Sequence, residues 1–539
     1  MTVLWLAARS HRTGMIATAV IASIGGLLNA FGFVQIAGAT HAERLVFAHQ
    51  MEILGRQFSY ILPPPIQLDT MGGYLTWRQF GSIAIAYAIW AVLAATGAAR
   101  GDEERGLTEL WLANGVSRAR WLAGRAGGFV VAAAASIAVG MLITAIGAAI
   151  AGDPLPANGV VAESITFLAI TVWAFGLGLL VAQVFLTRRS AALAGCGLLI
   201  LLFLLNSAIR SGIDVGAARW LSPFFYFDRS TPLLAGGMLD GSATVVLVVA
   251  GALLVAIATI AFVRRDVGGT VFRRRRRLTA PTARPSRDRL LRIPVLAAVD
   301  QQRGWIAGWA VSLAILAYFL VSITKVLVDV IRSTPGLTQY LEATGVTGYV
   351  EFVGVIWFST ALLIVAIYVV VQANGWAADD AEGRLALTLA QPVSRGRVVL
   401  ERIASLLVGV AVIASASTLV AYVTANRNGL DLPAGRTALA GLLMVPFAFA
   451  LGGVGQALVG WRPRSAVVIL GIVTVTSYFT QQFAPIFTWP VWISRTSLFA
   501  LYGTPLSHDD WPGIAVLIGL GVVGTMIAVA ALQRRDIAS

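Results

Sequence analysis

Asp102 to Arg125 reads DEERGLTELWLANGVSRARWLAGR, and 277 positions later Asp379 to Arg402 reads DDAEGRLALTLAQPVSRGRVVLER. Aligned without a gap, ten of the 24 positions are identical: Asp102/Asp379, Gly106/Gly383, Leu110/Leu387, Leu112/Leu389, Ala113/Ala390, Val116/Val393, Ser117/Ser394, Arg118/Arg395, Arg120/Arg397 and Arg125/Arg402. Each copy is a charged island between two long apolar stretches. The chain therefore carries one unit twice, and whatever the islands contact lies in water beside a membrane and meets two similar docking sites.

The flanking composition fixes the class. Of 539 residues 58% are hydrophobic and only 12% charged, with mean hydropathy +0.80, which excludes an ordinary soluble protein. Apolar runs long enough to cross about 30 Å of hydrocarbon fall at 15–38, 80–99, 126–151, 161–186, 190–209, 243–263, 304–324, 352–372, 403–425, 437–460, 465–482 and 513–532. The expected fold is an all-α polytopic membrane protein with twelve transmembrane helices. Threading the chain from a cytoplasmic N-terminus leaves 29 of the 40 Lys and Arg inside, so the positive-inside rule puts both termini in the cytoplasm. The net charge of +14 then follows topology and does not call for nucleic acid. The first apolar run lacks a small-residue cleavage site and reads as a retained span, and the single cysteine, Cys196, forms no internal disulfide.

The repetition extends past the islands. Arg189-Ser190-Ala191 matches Arg464-Ser465-Ala466, Thr231-Pro232-Leu233 matches Thr504-Pro505-Leu506, and Arg264-Arg265-Asp266 matches Arg534-Arg535-Asp536. Six spans, an even number, separate equivalent points. The two halves, 1–266 and 294–539, thus enter the membrane in the same direction, as parallel repeats about a pseudo-two-fold axis along the membrane normal. Between them, 267–293 is a basic cytoplasmic linker containing Arg273 to Arg277 and suited to anionic headgroups.

Within an island, Asp102, Glu103 and Glu104 precede Leu107, Leu110 and Trp111 at helical spacing, acids first, as the helix dipole favours. The helix should stop near Asn114-Gly115, and in the second copy near Gln391-Pro392. Ser117 and Ser394 then stand as N-caps of the following span. The expectation is a short amphipathic helix lying across the end of a helical hairpin, its apolar face covered by a partner or by the membrane interface.

No motor is encoded here. A P-loop needs a lysine after its glycines, and the only lysine, Lys325, sits in Ile-Thr-Lys-Val. Ion coupling normally leaves acids or histidines inside the membrane, yet Glu163, Arg210 and Glu351 lie at span edges and the four histidines lie outside the spans. No His/Cys cluster has metal spacing. Three classes stay open on the residues alone: the membrane subunit of an ATP-driven transporter, an ion-coupled carrier, and a membrane scaffold recruiting a cytoplasmic partner.

An acidic island E-E-R-G-x-x-E-L between the second and third of six spans, ending V-S-R-x-R, resembles the permease subunits of type-2 ABC exporters. With R-R-D closing each half, the duplicated form looks like the actinobacterial permeases of tetronasin and polyketide-antibiotic efflux. The resemblance implies a multi-pass protein of the bacterial plasma membrane, not itself an enzyme, with no cofactor of its own. It also implies a cytoplasmic ABC ATPase, in two copies, that binds ATP and Mg. Asp102, Glu103, Glu104, Arg105, Leu107, Leu110 and Trp111, with Asp379, Asp380, Glu382, Arg384 and Leu387, would be its coupling residues. Glu104, Arg105 and Glu109 are replaced by Ala381, Glu382 and Ala386 in the second copy, so coupling would be unequal.

By the same resemblance, the second and fifth spans of each half line the substrate path, with Trp90, Phe203, Asn206, Trp357, Tyr478 and Phe479 as candidates. Spans almost without charge suit a hydrophobic or amphiphilic substrate among membrane lipids. The broken segments Trp220–Leu239 and Trp489–Leu506 would form re-entrant hairpins at the outer gate. An external amphipathic helix is expected over 42–62, with Phe47, Met51, Leu54, Phe58 and Leu62 on its apolar face and the segment Leu327–Leu341 as a possible contact.

Overall fold

Twelve helices of the computed structural model are long and apolar enough to cross a membrane. The structure describes residues 7–57, 62–271, 293–332, 348–484 and 489–535, and these contain helices and turns but no strand. The chain folds as two compact units, Met1–Thr279 and Ala280–Ser539.

In the first unit the spans are α1 (Arg12–Ala37), α3 (Met71–Glu104), α5 (Arg118–Ile150), α6 (Ala157–Val184), α7 (Arg188–Arg210) and α9 (Gly241–Arg264). Three short helices interrupt them: α2 (His41–Gln57), α4 (Leu107–Ala113) and α8 (Pro223–Phe227). The second unit has spans in α10 (Pro294–Arg332), α11 (Tyr349–Ala381), α13 (Arg395–Arg427), α14 (Ala434–Trp461), α15 (Pro463–Phe483) and α17 (Trp511–Arg534), with short α12 (Arg384–Leu389) and α16 (Leu498–Tyr502). Helix α1 packs on α5, α6 on α9 and α3 on α6; in the second unit α10 packs on α13, α14 on α17 and α11 on α14.

Lipid tails are as apolar as leucine, so close helix contact in a membrane relies on small residues rather than on hydrophobic exclusion. At the α14–α17 contact a Cβ on Gly453 would stand 2.5 Å from the Gly521 carbonyl oxygen, so only hydrogen fits. Large apolar side chains such as Leu142, Leu201 and Leu419 face outward, as a hydrocarbon surround permits. Inside the first unit Phe129 stacks on Phe175 with centroids 4.1 Å apart. Helices α5 and α13 have 33 residues each, about 50 Å of rise against about 30 Å of hydrocarbon, so their first turns project beyond the membrane and carry the islands with them.

Helix α2 opens with a capping box: Thr40 N–H donates to Glu43 Oε2 (3.0 Å) and Glu43 N–H to Thr40 Oγ1 (3.3 Å). The Thr40 backbone donor holds the Glu43 carboxyl below its usual range. Phe47 is buried against the bundle, and Arg44 pairs with Asp153 at 2.9 Å. The apolar stripe was expected to run to Leu62 as one helix; Leu62 instead lies beyond the end of α2, half-buried against the core. The Leu54 side chain and Phe58 lie outside what the structure describes, as do residues 333–341 of the suggested contact.

Candidate functional site

Both islands break at the same glycine. Gly106 (φ +69°) and Gly383 (φ +73°) take the left-handed conformation, ending α3 and α11 and turning the chain into α4 and α12. Helix α4 stops at Ala113 before Gly115 (φ +81°), and α12 stops at Leu389 before Pro392, as the sequence indicated. Ser117 and Ser394 cap the next spans, accepting from Arg120 N and Arg397 N at 3.3 Å each.

The acids are placed differently from the sequence expectation. Asp102, Glu103 and Glu104 do not open the amphipathic helix; they form the last turn of α3, where the dipole disfavours negative charge. Arginines answer them. Asp102 pairs with Arg125 from α5 and with Arg105 at 2.7 Å. Glu103 pairs with Arg100 at 2.8 Å and with Arg265, which follows α9. Arg100 is itself almost wholly buried, donating through Nε to Ala182 O (3.1 Å) and through Nη2 to Gly269 O (2.8 Å). Arg265 Nε donates to Gln183 Oε1 at 2.8 Å. Glu104 Oε1 accepts from the Arg188 backbone N–H at 2.7 Å, tying the island to α7.

The second unit repeats part of this clamp. Asp379 lies 3.4 Å from Arg402, and Asp380 pairs with Arg535 at 2.7 Å, so the closing Arg-Arg-Asp of each half supplies the partner of the second acid. Arg118 Nη1 reaches Arg265 O (2.5 Å) at the end of α9, as Arg395 Nη1 reaches Leu532 O (2.7 Å) and Arg535 O (2.8 Å) at the end of α17. Helix C-termini expose carbonyls that a cation satisfies. Alanines 377 and 381 stand where Arg100 and Glu104 act, and Arg384 instead pairs at the surface with Asp379 (2.8 Å) and Glu382. The Asp379 hydrogen bond, before the charges themselves, raises the Arg384 pKa.

The outer face of each island centres on a leucine. Leu110 is 59% exposed and Leu387 72%, at equivalent positions, while Thr108 and Leu385 on the opposite faces are buried. Leu107, Glu104, Arg105, Glu382 and Arg384 are exposed around them. Trp111 stacks on Trp121 at 5.5 Å. Each island thus has one face fixed to the ends of the spans by ion pairs, and the other presents leucine to water.

The six path candidates are each engaged within their own unit. Trp90 lies against Phe129 (4.9 Å), and Phe203 meets Phe224 edge-on (5.4 Å). Asn206 is buried and donates to Asp228 at 2.7 Å. Trp357 is fully enclosed, Tyr478 meets Phe499 (5.4 Å), and Phe479 meets Tyr478 (5.9 Å). The broken segments are short helices tied to the fifth span: Ser222 Oγ donates to Leu202 O (2.8 Å) and Ser497 Oγ to Ser477 O (2.6 Å). Sequence reading missed these two serines, although each stands at the same offset from its acceptor.

Residues 12–267 match the family model described as ABC-2 family transporter protein, and residues 291–533 match that of the multidrug efflux system permease Rv1217c, C-terminal domain. The chain belongs to the type-2 ABC exporter permeases. No curated protein matches it. The permease is a multi-pass transport subunit, and the family implies an ATPase subunit as its partner.

Proposed function

We propose that this permease moves hydrophobic or amphiphilic compounds out of the cell, driven by a separate cytoplasmic ATPase present in two copies that bind ATP and Mg2+. Helices α4 and α12 are the docking levers. On this reading the two units are parallel repeats about an axis along the membrane normal, with both termini in the cytoplasm. The observation that carries it is the pair Leu110 and Leu387: exposed leucines at matching positions, on helices whose other faces are locked to the spans. An apolar knob held rigidly over water is suited to insertion into a cleft of a partner. Because Asp102 and Glu103 are turned inward, their role is to transmit force from the lever to α5 and to the end of α9.

The test is copurification of the permease with its ATPase in lipid nanodiscs, comparing wild type with Leu110→Asp plus Leu387→Asp. Both side chains are exposed, so the substitutions spare the fold. Loss of assembly or of coupled ATP hydrolysis is expected. An intact, fully coupled complex would remove the levers from the mechanism.

A further inference from the structure

At the end of the first unit opposite its island lies a cavity of about 140 Å³ lined by Glu163, Trp77, Phe80, Arg210, Phe227 and Asp228, among others. Glu163 on α6 is 2% exposed, and its Oε2 has no hydrogen-bond partner among the described residues; neither has Trp77 Nε1. Arg210 does not answer Glu163, because it holds Asp228 in a two-point pair at 2.6 and 2.5 Å. Among the described lining residues, Arg210 and Asp228 neutralise each other, which leaves the Glu163 carboxyl without a counter-charge. A buried carboxylate without a counter-charge is costly.

Among the described residues the second unit has no such arrangement. The seventh residue of α6 is Glu163, and the seventh of α14 is Ala440. The last residue of α8 is Phe227, and the last of α16 is Tyr502, whose hydroxyl closes the equivalent place by donating to Ala440 O at 2.8 Å. Where Tyr502 fills the equivalent place in the second unit, the first leaves an acid oxygen and an indole N–H lining a cavity without partners among the described residues. Three of the wall residues, Thr76, Trp77 and Phe80, come from a π-turn (Thr76–Phe80) in α3, a backbone irregularity that recurs at functional sites.

We propose that this cavity binds the ammonium group of an amphiphile carrying an acceptor oxygen a few bonds away. Glu163 neutralises the cation, the aromatic walls favour it further, and Trp77 donates to the oxygen. A bare metal ion suits the cavity less. Such an ion wants about six oxygens, whereas the Asp228 carboxylate is already engaged by Arg210 and Asn206 and the remaining walls are largely apolar. Both a soluble amine ester and a phosphatidylethanolamine headgroup have the required chemistry.

The experiment measures saturable binding of acetylcholine and of its neutral carbon isostere, 3,3-dimethylbutyl acetate, to the full chain. Nanodiscs of phosphatidylglycerol and of phosphatidylethanolamine are compared, for wild type, Glu163→Gln and Glu163→Asp. Wild type in phosphatidylglycerol is expected to prefer the cation by about tenfold. Glu163→Gln should abolish the preference without lowering the thermal unfolding temperature, and Glu163→Asp should keep most of it. Weaker binding in phosphatidylethanolamine would identify the headgroup as an occupant, and equal binding would identify a soluble amine. A folded Glu163→Gln that still prefers the cation, or a wild type with no preference in phosphatidylglycerol, overturns the proposal.

Discussion

Two single residues show how much an ion pair depends on its burial. Arg265 and Arg535 occupy the same place in their halves, but Arg265 is 3% exposed beside a buried Glu103, whereas Arg535 is 31% exposed. Removing one partner of a buried pair leaves the other uncompensated, at a cost of about 3–5 kcal/mol. Removing a partly exposed one costs about 1 kcal/mol or less. Arg265→Ala should therefore lower the thermal unfolding temperature below that of Arg535→Ala. Equal effects of the two single substitutions would show that the clamp is not the stabilising contact.

His11 offers a pH test at the same scale. Burial, its ring edge-on to Phe129 and Phe175, and secondarily the nearby Arg125 charge lower its pKa to about 4. The folded chain thus keeps His11 neutral, while the unfolded chain takes up a proton below about 6.5. That contribution to stability is fully present above pH 6.5 and is lost progressively as pH falls toward 4, by at most about 3 kcal/mol. His11→Phe should flatten the unfolding temperature over this window, and a profile matching wild type would rule out His11 as its source.

At the scale of the element, the island helices depend on their punctuation. A β-carbon at Gly106 or Gly383 forces a left-handed L-residue, at about 1–2 kcal/mol each, and loss of the Ser117 or Ser394 cap costs about 1 kcal/mol. Gly106→Ala plus Gly383→Ala should leave the spans helical by circular dichroism while reducing coupled ATP hydrolysis; undiminished coupling would show that the break in the helix is dispensable. Much of this was legible in the residues. The repeated glycine, serine and arginines marked the island, and its stop signals lie where α4 and α12 end. The side on which the acids fall was not legible, because a short acidic run before an apolar stripe reads the same whether it closes one helix or opens the next. Only the partners supplied from distant helices, Arg125 and Arg265, show which, and no local spacing encodes them. The serines that tie α8 and α16 to the fifth spans stayed hidden for the same reason: a buried hydroxyl in an aromatic segment has no periodic signature.

For the whole chain, the two islands are alike in their helices and unequal in reinforcement. The first island is held by a buried arginine with three acceptors and by the bond from the Arg188 N–H at the start of α7 to Glu104. The second has alanine at both places and relies on half-exposed pairs that water screens. Local opening follows the weaker set of contacts. Amide exchange should accordingly be faster across 384–390 than across 107–113 in the permease alone, and partner binding should slow the second island more. On the proposed reading, an ATPase acting on the two islands meets one that is stiffly held and one that is held more loosely, so restricting the motion of α12 becomes part of the work of docking. Replacing Glu104 with Ala is expected to reduce that difference by removing the tie to the Arg188 backbone N–H, and hydrogen exchange read peptide by peptide measures it. Equal protection of both islands in wild type would mean that the missing arginine and glutamate are compensated elsewhere, and the two levers would then move alike.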